Sequence, residues 1–544
     1  MRAEVAVMSR NIIITGSDVY PPCLGDDDVE IECSYTEVDH AFGGHIQIKE
    51  GFGSAHIEGV LLEKMGQWNI GDRWAFPIYF DMAGDTQGKA FVKDNFIHKS
   101  NRRCVVLRAT HSLQVENNVA YDHIGHCFHL MEGGEKNNVF KGNLVVGTRK
   151  LDSSPETFEK RESSAFFITN PLTDMIGNVA AGGDAKGYMY VFPPEPLGDS
   201  TALNLMEKDE AKRTPFKSFD YNVGHSYFYG AIDFQKALQQ NGVQMNWNTG
   251  YNFKEDPRNV SSPDVPSVMN MCTFYKNRFE NMIVRGGWFV FDRFSAGGSI
   301  QRSYLTNSII LGESDNLGLA EGYWNGTHRI PYHRSLPLSW NPGNGVRGVV
   351  FYDGPHYIQN TFFNNFPQRE EYHTGAFGFV RGSRWFSSPL TAVSGADFGF
   401  DDGPSGGNRA FDGHEGIDHY QNRTGDTQAM FRDLDGSVTG HPNTQVVKPF
   451  PFLSTADCYF KENWLLTVCP HRYGKVSVWP RGTDHKRNTK PFMTRDDIPE
   501  APFDQDWESS ADFPVILGLD YSYILHFTEY IPDEIWLRGH AFEK

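Results

Sequence analysis

Short apolar runs recur along the chain, and most are opened by an asparagine. They are Asn11-Ile-Ile-Ile, Asn95-Phe-Ile, Asn118-Val-Ala, Asn143-Leu-Val, Asn178-Val-Ala, Asn222-Val-Gly, Asn307-Ser-Ile-Ile and Asn360-Thr-Phe-Phe. The steps from 95 to 118 and from 118 to 143 are 23 and 25 residues, and later steps are longer, as though loops had been inserted. Within the runs Val, Ile, Phe and Tyr alternate with polar residues, as in Cys104-Val-Val-Leu and Leu113-Gln-Val, which is strand and not helix spacing. Helical spacing is confined to Phe234–Leu238 and residues 203–212. A strand-bearing repeat of this period predicts a solenoid. The fold class is therefore all-β, a right-handed parallel β-helix with roughly three short strands per coil. Asparagines at equivalent positions then stack into side-chain amide ladders at inward-turning corners. Ordinary turns of an antiparallel sandwich also attract Asn, but they do not account for the near-fixed step.

The pattern changes near residue 390. Residues 1–390 read as the β-helix, and the Gly- and Asp-rich stretch 391–430 reads as a linker or long loop. Strand-like runs then resume at Thr444-Gln-Val-Val, Val476-Ser-Val-Trp, Phe513-Pro-Val-Ile-Leu, Tyr521-Ser-Tyr-Ile-Leu and Glu534-Ile-Trp-Leu. Residues 431–544 are thus expected to form a smaller antiparallel, β-sandwich-like module, incomplete because it stops soon after a strand.

Composition narrows the function classes. Among 544 residues, 50 Lys and Arg against 68 Asp and Glu give a formal charge of −18. Nothing global attracts phosphates, so a general nucleic-acid binder is excluded, although a local basic groove is not. No apolar run reaches the ~18 residues that a bilayer span needs. The first residues are too few and too charged for a signal peptide, which predicts an intracellular protein or a chain whose start lies elsewhere. The seven cysteines are an odd number with no C-x-x-C pair. Cys458 and Cys469 are close enough to close a small loop in an oxidising compartment. Sequons at Asn259, Asn325 and Asn422 permit a secreted protein.

Several segments resemble one β-helix family. They are Arg2-Ala-Glu-Val-Ala-Val-Met-Ser-Arg-Asn-Ile-Ile-Ile-Thr-Gly16, Phe42-Gly-Gly-His45, Met65-Gly-Gln67, Ala83-Gly-Asp85, Asn101-Arg-Arg-Cys104 and Asn118-Val-Ala-Tyr-Asp-His-Ile-Gly-His-Cys-Phe128. Ile176-Gly-Asn-Val-Ala-Ala-Gly182, Phe351-Tyr-Asp-Gly-Pro355, Phe431-Arg-Asp-Leu-Asp-Gly-Ser-Val-Thr-Gly440 and Cys469-Pro470 continue it. In this order they resemble the family of cell-migration-inducing and hyaluronan-binding protein (CEMIP) and the transmembrane cell-surface hyaluronidase, with fibrocystin-like proteins as more distant members. The resemblance implies a secreted or cell-surface protein that binds or depolymerises hyaluronan or a related glycosaminoglycan. It also implies an N-terminal glycine-rich β domain and a leader or anchor, so the chain reads as shortened.

Glycosidic cleavage needs an acid at the leaving oxygen and a carboxylate acting as base or nucleophile. A lyase acting on a uronate needs a base and a cation that neutralises the sugar carboxylate. The densest polar stretch, 72–135, supplies candidates for either. Asp81, Asp85, Asp122 and His126 are the candidate catalytic groups, and Arg73, Arg102, Arg103, Arg108 and Glu135 are the candidate substrate-binding groups. The chain departs from the resembled family here. A pattern like R-Y-P-I-H-F-H-x-x-G-D reads Trp74-Ala-Phe-Pro-Ile-Tyr-Phe-Asp-Met-Ala-Gly-Asp85, so Tyr79 and Asp81 replace two histidines. A pattern like C-V-T-V-H-G-T reads Cys104-Val-Val-Leu-Arg-Ala-Thr110, so Arg108 replaces a third, and L-E-D-G reads Leu130-Met-Glu-Gly133. Two readings stay open: a hyaluronidase-like glycosidase with altered acid–base groups, and a catalytically inactive β-helix that binds glycan or a surface protein. Asp433-Leu-Asp435-Gly436 can begin a Ca2+ loop, with an Asp-rich β-turn as the bland alternative, and Asp401-Asp402-Gly403 has the same status.

Overall fold

The computed structural model describes residues 4–16, 23–24, 30–31, 43–67, 75–150, 162–238, 245–246, 251–277, 280–284, 286–297, 300–301, 304–312, 323–324, 329–330, 346–351, 355–366, 374–379, 388–399, 409–411, 430–481, 491–504, 513–528 and 532–540. Two compact units emerge, Met1–Ala296 and Gly297–Lys544.

The first unit is a parallel β-helix, as the repeat predicts. One sheet, termed here the site sheet, stacks Ile46–Lys49, Ile78–Asp85, Val105–His111, Phe128–Leu130, Ser164–Ile168, Lys186–Val191, Gly230–Leu238 and Glu280–Val284 in parallel. A second stack runs through Ala55–Glu58, Ala90–Lys93, Gln114–Glu116, Val139–Lys141 and Asp174–Ile176. A third runs through Val60–Glu63, Phe96–His98, Val119–Ile124, Leu144–Arg149, Val179–Gly183 and Val223–Tyr227. Each coil therefore contributes three strands. The interior is filled by like on like, with the rings of Phe128, Phe166 and Tyr188 stacked at 5.2 and 4.9 Å.

The amide ladder is present at the corner between the second and third strands. Each Nδ2 group donates to the Oδ1 of the next coil, from Asn95 to Asn118, Asn143, Asn178 and Asn222, at 3.0–3.1 Å. The same amides donate to carbonyls inside the coil, as Asn143 Nδ2 does to Val115 O at 2.8 Å. All five side chains are fully buried. The reason is local. The residue before each ladder position has a left-handed backbone: Gly59, Asp94, Asn117, Gly142, Gly177, Tyr221, Met271 and Arg293. That kink turns the next side chain inward, among backbone groups that need partners. Cys272 takes the ladder place after Asn222, and its thiol points to the Asn270 and Phe219 carbonyls.

Three asparagines of the sequence pattern are not ladder members. In the second unit Asn307 and Asn360 themselves adopt the left-handed backbone, both at φ 49°, and Ser308 and Thr361 are the buried residues that follow. Asn11 stands one residue before Ile12, which pairs with Val60, and so also misses the ladder place. Asn serves both places because it tolerates left-handed backbone better than other non-glycine residues.

The helical spacing at Phe234–Leu238 is overridden, since this stretch belongs to the Gly230–Leu238 strand and is paired on both sides. Of residues 203–212 only the ends are helical, where a 3-10 helix Gly198–Leu203 finishes and a short α-helix Glu210–Arg213 begins.

In the second unit parallel stacking continues through Val346–Phe351 with Thr374–Phe379, and through Tyr357–Asn364 with Ala392–Asp397. Part of the expected linker is therefore strand. Met430–Asp433 is the switch point: it pairs in parallel with Ala392–Asp397 and antiparallel with Thr444–Val447. Two antiparallel three-stranded sheets follow, Phe513–Gly518 with Tyr473–Arg481 and Glu534–His540, and Ile498–Asp504 with Pro491–Arg495 and Tyr523–Phe527. They share a core that includes Val478, Met493, Phe503 and Val515. The Cys458–Cys469 disulfide closes the small loop. A second disulfide, Cys104–Cys127, joins successive coils of the first unit.

Asn143→Ala removes both amide donors and the acceptor for Asn118, so the expected loss of stability is about 3 kcal/mol. Asn307→Gly, at a left-handed corner, is expected to cost under ~0.5 kcal/mol. Thermal unfolding of the two variants checks the register, and equal losses would contradict it.

Candidate functional site

On the site sheet alternate residues point out of the coil. Ile78 and Phe80 point inward, so Tyr79 and Asp81 point outward. In the next coil Val105 and Leu107 point inward, so Val106 and Arg108 point outward, with Arg108 registered on Asp81. This outer face is not open along its length. Phe76, Tyr79 and Val106 form one buried apolar cluster on it, and Phe167, Met189, Val191 and Leu197 form another.

Between these clusters lies a dense polar network. Arg108 Nε donates to Asp81 Oδ1 at 2.7 Å, with Nη2 2.5 Å from the same oxygen. Its Nη1 donates to Asp199 Oδ2 at 2.6 Å and lies 3.6 Å from Glu132 Oε1. Asp81 also accepts from Gln47 Nε2 at 2.7 Å and from the Tyr79 hydroxyl at 3.0 Å. Glu132 Oε2 accepts from the Ser200 N–H at 3.0 Å and from its hydroxyl at 2.5 Å. Two coils and the Gly198–Leu203 turn thus converge on one guanidinium. Burial pushes the Tyr79 phenol well above its ordinary range, and the Asp81 charge pushes it further, so the hydroxyl stays a donor. Burial opposes the charge on Arg108, but the bonds to Asp81 and Asp199 outweigh it and hold the guanidinium protonated.

The network continues to a basic end. The Phe76 ring meets Tyr79 edge-on at 5.2 Å, and the guanidinium groups of Arg102 and Arg103 lie 5.0 and 4.8 Å from the Phe76 ring centre. Beyond them His126 and His129 sit 5.2 Å apart, both against Phe167. His126 Nδ1 accepts the Ser164 N–H at 3.1 Å, which leaves its proton on Nε2. Burial, then the charges of Arg103, His126 and Arg102, hold His129 well below the usual imidazole range.

The four candidate catalytic groups do not meet. Asp81 is in the network. Asp85 is exposed at the far end of the same strand, where it accepts from Gln87 N at 3.2 Å, and a bond from Ser112 leads the causes that lower its pKa. Asp122 belongs to a different sheet and pairs with Arg149 at 2.7 Å. His126 is buried on the site-sheet face. Of the substrate-binding candidates, Arg102, Arg103 and Arg108 share the face. Glu135 is fully buried and accepts from the Ala109, Glu132 and Gly133 N–H groups, so it braces a turn and faces no ligand. Arg73 lies outside the described residues, as do Asp401 and Asp402.

The Asp433–Asp435 pair does not fit a cation. Asp433 is buried and accepts from the Gly436, Val438 and Thr439 N–H groups and the Thr439 hydroxyl, at 2.7–3.1 Å. Asp435 accepts from Gly395 N and Ser437 N. Their oxygens are already filled by donors, which is the turn-capping role of aspartate.

Sequence reasoning missed Gln47, Asp199 and Ser200. Asp199 lies 91 residues from Arg108, and nothing in its spacing announces the contact. The three positions where histidines of the resembled pattern are replaced, Tyr79, Asp81 and Arg108, prove to be mutual neighbours. They constitute one altered cluster.

Comparison with known proteins bears on the β-helix that carries these residues. Residues 41–231 match the family model described as the CEMIP β-helix. The chain carries a CEMIP β-helix. A protein of Dictyostelium discoideum is 30% identical over 86% of this chain and 45% of its own length. Cell surface hyaluronidase CEMIP2 of Homo sapiens is 28% identical over 100% of this chain and 42% of its own. Cell migration-inducing and hyaluronan-binding protein of Mus musculus is 27% identical over 99% and 43%. The chain thus spans less than half the length of these relatives. Among solved structures, a tailspike protein of E. coli bacteriophage HK620 aligns over 92% of the chain at 7% identity, with a TM-score of 0.28. No helix among the described residues is long and apolar enough to cross a membrane.

Within the CEMIP β-helix, Arg108→Met strands the Asp81 and Glu132 carboxylates and is expected to cost about 3–5 kcal/mol at pH 7. Neutralising a buried carboxylate that has lost its cation relieves the cost of that charge, so the variant's deficit should shrink as pH falls from 7 towards 4. Unfolding curves at both pH values check the sign; a deficit independent of pH would mean that Arg108 contributes packing alone.

Proposed function

We propose that this chain is an extracellular or cell-surface protein that binds hyaluronan or a related glycosaminoglycan and cleaves its glycosidic bonds with the carboxylates of Asp81 and Glu132. One observation carries the reading. Two carboxylates, one from each coil flanking that of Arg108, converge on its guanidinium, in a chain that aligns along its whole length with relatives named for hyaluronan binding and hyaluronidase activity.

The chemistry assigns the parts. Glycoside hydrolysis takes one carboxyl as acid and one carboxylate as base or nucleophile. Ser200 fixes Glu132 from the far side. Tyr79 gives Asp81 a neighbouring hydroxyl that holds its proton. Arg108 separates the two acids, and its Nη1 side, capped by the exposed Asp199, is the side that faces a sugar carboxylate. Arg102 and Arg103 provide the local positive charge that a polyanion needs on a chain of net charge −18.

A second reading, a catalytically inactive glycan binder, is favoured by a different observation. Asp81 already accepts from Gln47, Tyr79 and Arg108, so its oxygens are taken up by the protein's own donors and not turned to a ligand. High-molecular-weight hyaluronan incubated with the purified chain, with and without calcium, separates the two by size exclusion. The proposed reaction shortens the polymer, and Asp81→Asn or Glu132→Gln slows it by at least ~100-fold. Bound but intact polymer establishes the second reading. Neither binding nor cleavage removes both.

A further inference from the structure

Arg108 is held by partners of very different firmness. Its Nε and Nη2 side is locked on Asp81, whose carboxylate is nearly buried. Its Nη1 side is capped by Asp199, whose side chain is 70% exposed, against 14% for Arg108 itself. An exposed ion pair contributes only about 0.2–1 kcal/mol, far less than a buried one. Asp199 is therefore the partner that is released most cheaply.

The turn carrying Asp199 is nonetheless carefully placed. Leu197 is anchored in the apolar cluster with Phe167 and Met189, and its N–H donates to Glu132 O at 2.7 Å. Gly198 has φ 53°, and a Cβ there would lie 2.3 Å from Glu132 Oε1, so a side chain at this position would have to push aside the carboxylate that Ser200 holds. Ser200 is fastened to Glu132 by its N–H and its hydroxyl. The residues on either side of Asp199 are fixed, and its carboxylate alone reaches out over the guanidinium from the solvent side.

We propose that Asp199 occupies the subsite of an incoming uronate carboxylate on Arg108, so that a ligand must present a carboxylate to displace it. This deepens the proposed glycan reading and rests on it. The subsite discriminates by charge: a uronate exchanges one ion pair for another, whereas a neutral N-acetylated sugar has nothing to exchange. Asp199 is then a specificity-determining residue that raises the threshold for binding.

The test compares Asp199→Asn with Asp264→Asn. Asp264 pairs with Lys254 at 2.6 Å and is 60% exposed, so its variant removes the same charge from an exposed ion pair outside the network. Affinities are measured by calorimetry for a hyaluronan hexasaccharide, for heparosan as a second uronate polymer, and for neutral chitohexaose. Asp199→Asn should bind hyaluronan about 3–5-fold tighter than the unaltered chain, with Asp264→Asn and chitohexaose showing no such change. Equal tightening by both variants, or none by Asp199→Asn, overturns the inference while hyaluronan binding itself keeps the functional reading. Tightening for heparosan alone upholds the inference and removes hyaluronan as the ligand. Failure to bind either uronate polymer in all three proteins overturns both.

Discussion

A coil of parallel β-helix must turn its backbone into an apolar interior, and the peptide groups at that corner cannot reach water. The buried asparagine amides answer this constraint. Each supplies two donors and an acceptor, which matches what a corner lacks: a carbonyl without a partner, and a neighbouring amide above and below. Because every amide bonds to the next coil, the corners lock in register, and the strands between them follow. The outward row of the site sheet inherits that register. Asp81 faces Arg108 because Asn95 sits over Asn118 in the same pair of coils.

That inheritance explains the altered cluster. Positions 79 and 81 lie in one coil and position 108 in the next, but all three share one patch of one face. A change at any of them alters the electrostatics of the other two. An aspartate and an arginine introduced separately would each be buried beside unmatched neighbours, which is costly. Introduced together they form a pair in which two guanidinium nitrogens share one carboxylate oxygen, braced by a tyrosine hydroxyl, and each then compensates the other's burial.

The fold was legible because it is periodic: strand spacing, the ladder step and the turn to an antiparallel module all leave local marks. The ambiguity at Asn307 and Asn360 has a local cause as well, since the residue that makes the kink and the residue that fills it are adjacent and both suit asparagine. The site was legible only in part. The 72–135 cluster contains Asp81, Arg102, Arg103, Arg108 and Glu132, because stacked coils bring residues about one period apart together. It also contains Asp85, which the strand carries past the face to the exposed end, and Asp122, which belongs to another sheet. Gln47 and the Gly198–Leu203 turn reach the face from outside that period. Non-periodic insertions leave no spacing to read, and they are where a solenoid can most freely vary its chemistry.

The disulfide between Cys104 and Cys127 has a mechanical meaning. A solenoid pulled from its ends gives way like a zip, one coil at a time, because each coil is held only by its neighbours. This covalent bond joins the coil whose strand carries Arg108 to the coil that leads to Glu132. Peeling that reaches this point meets a strut that hydrogen bonds cannot imitate. Tension that peels the solenoid from its C-terminal side would thus be borne by the later coils before Glu132 could be drawn away from Arg108.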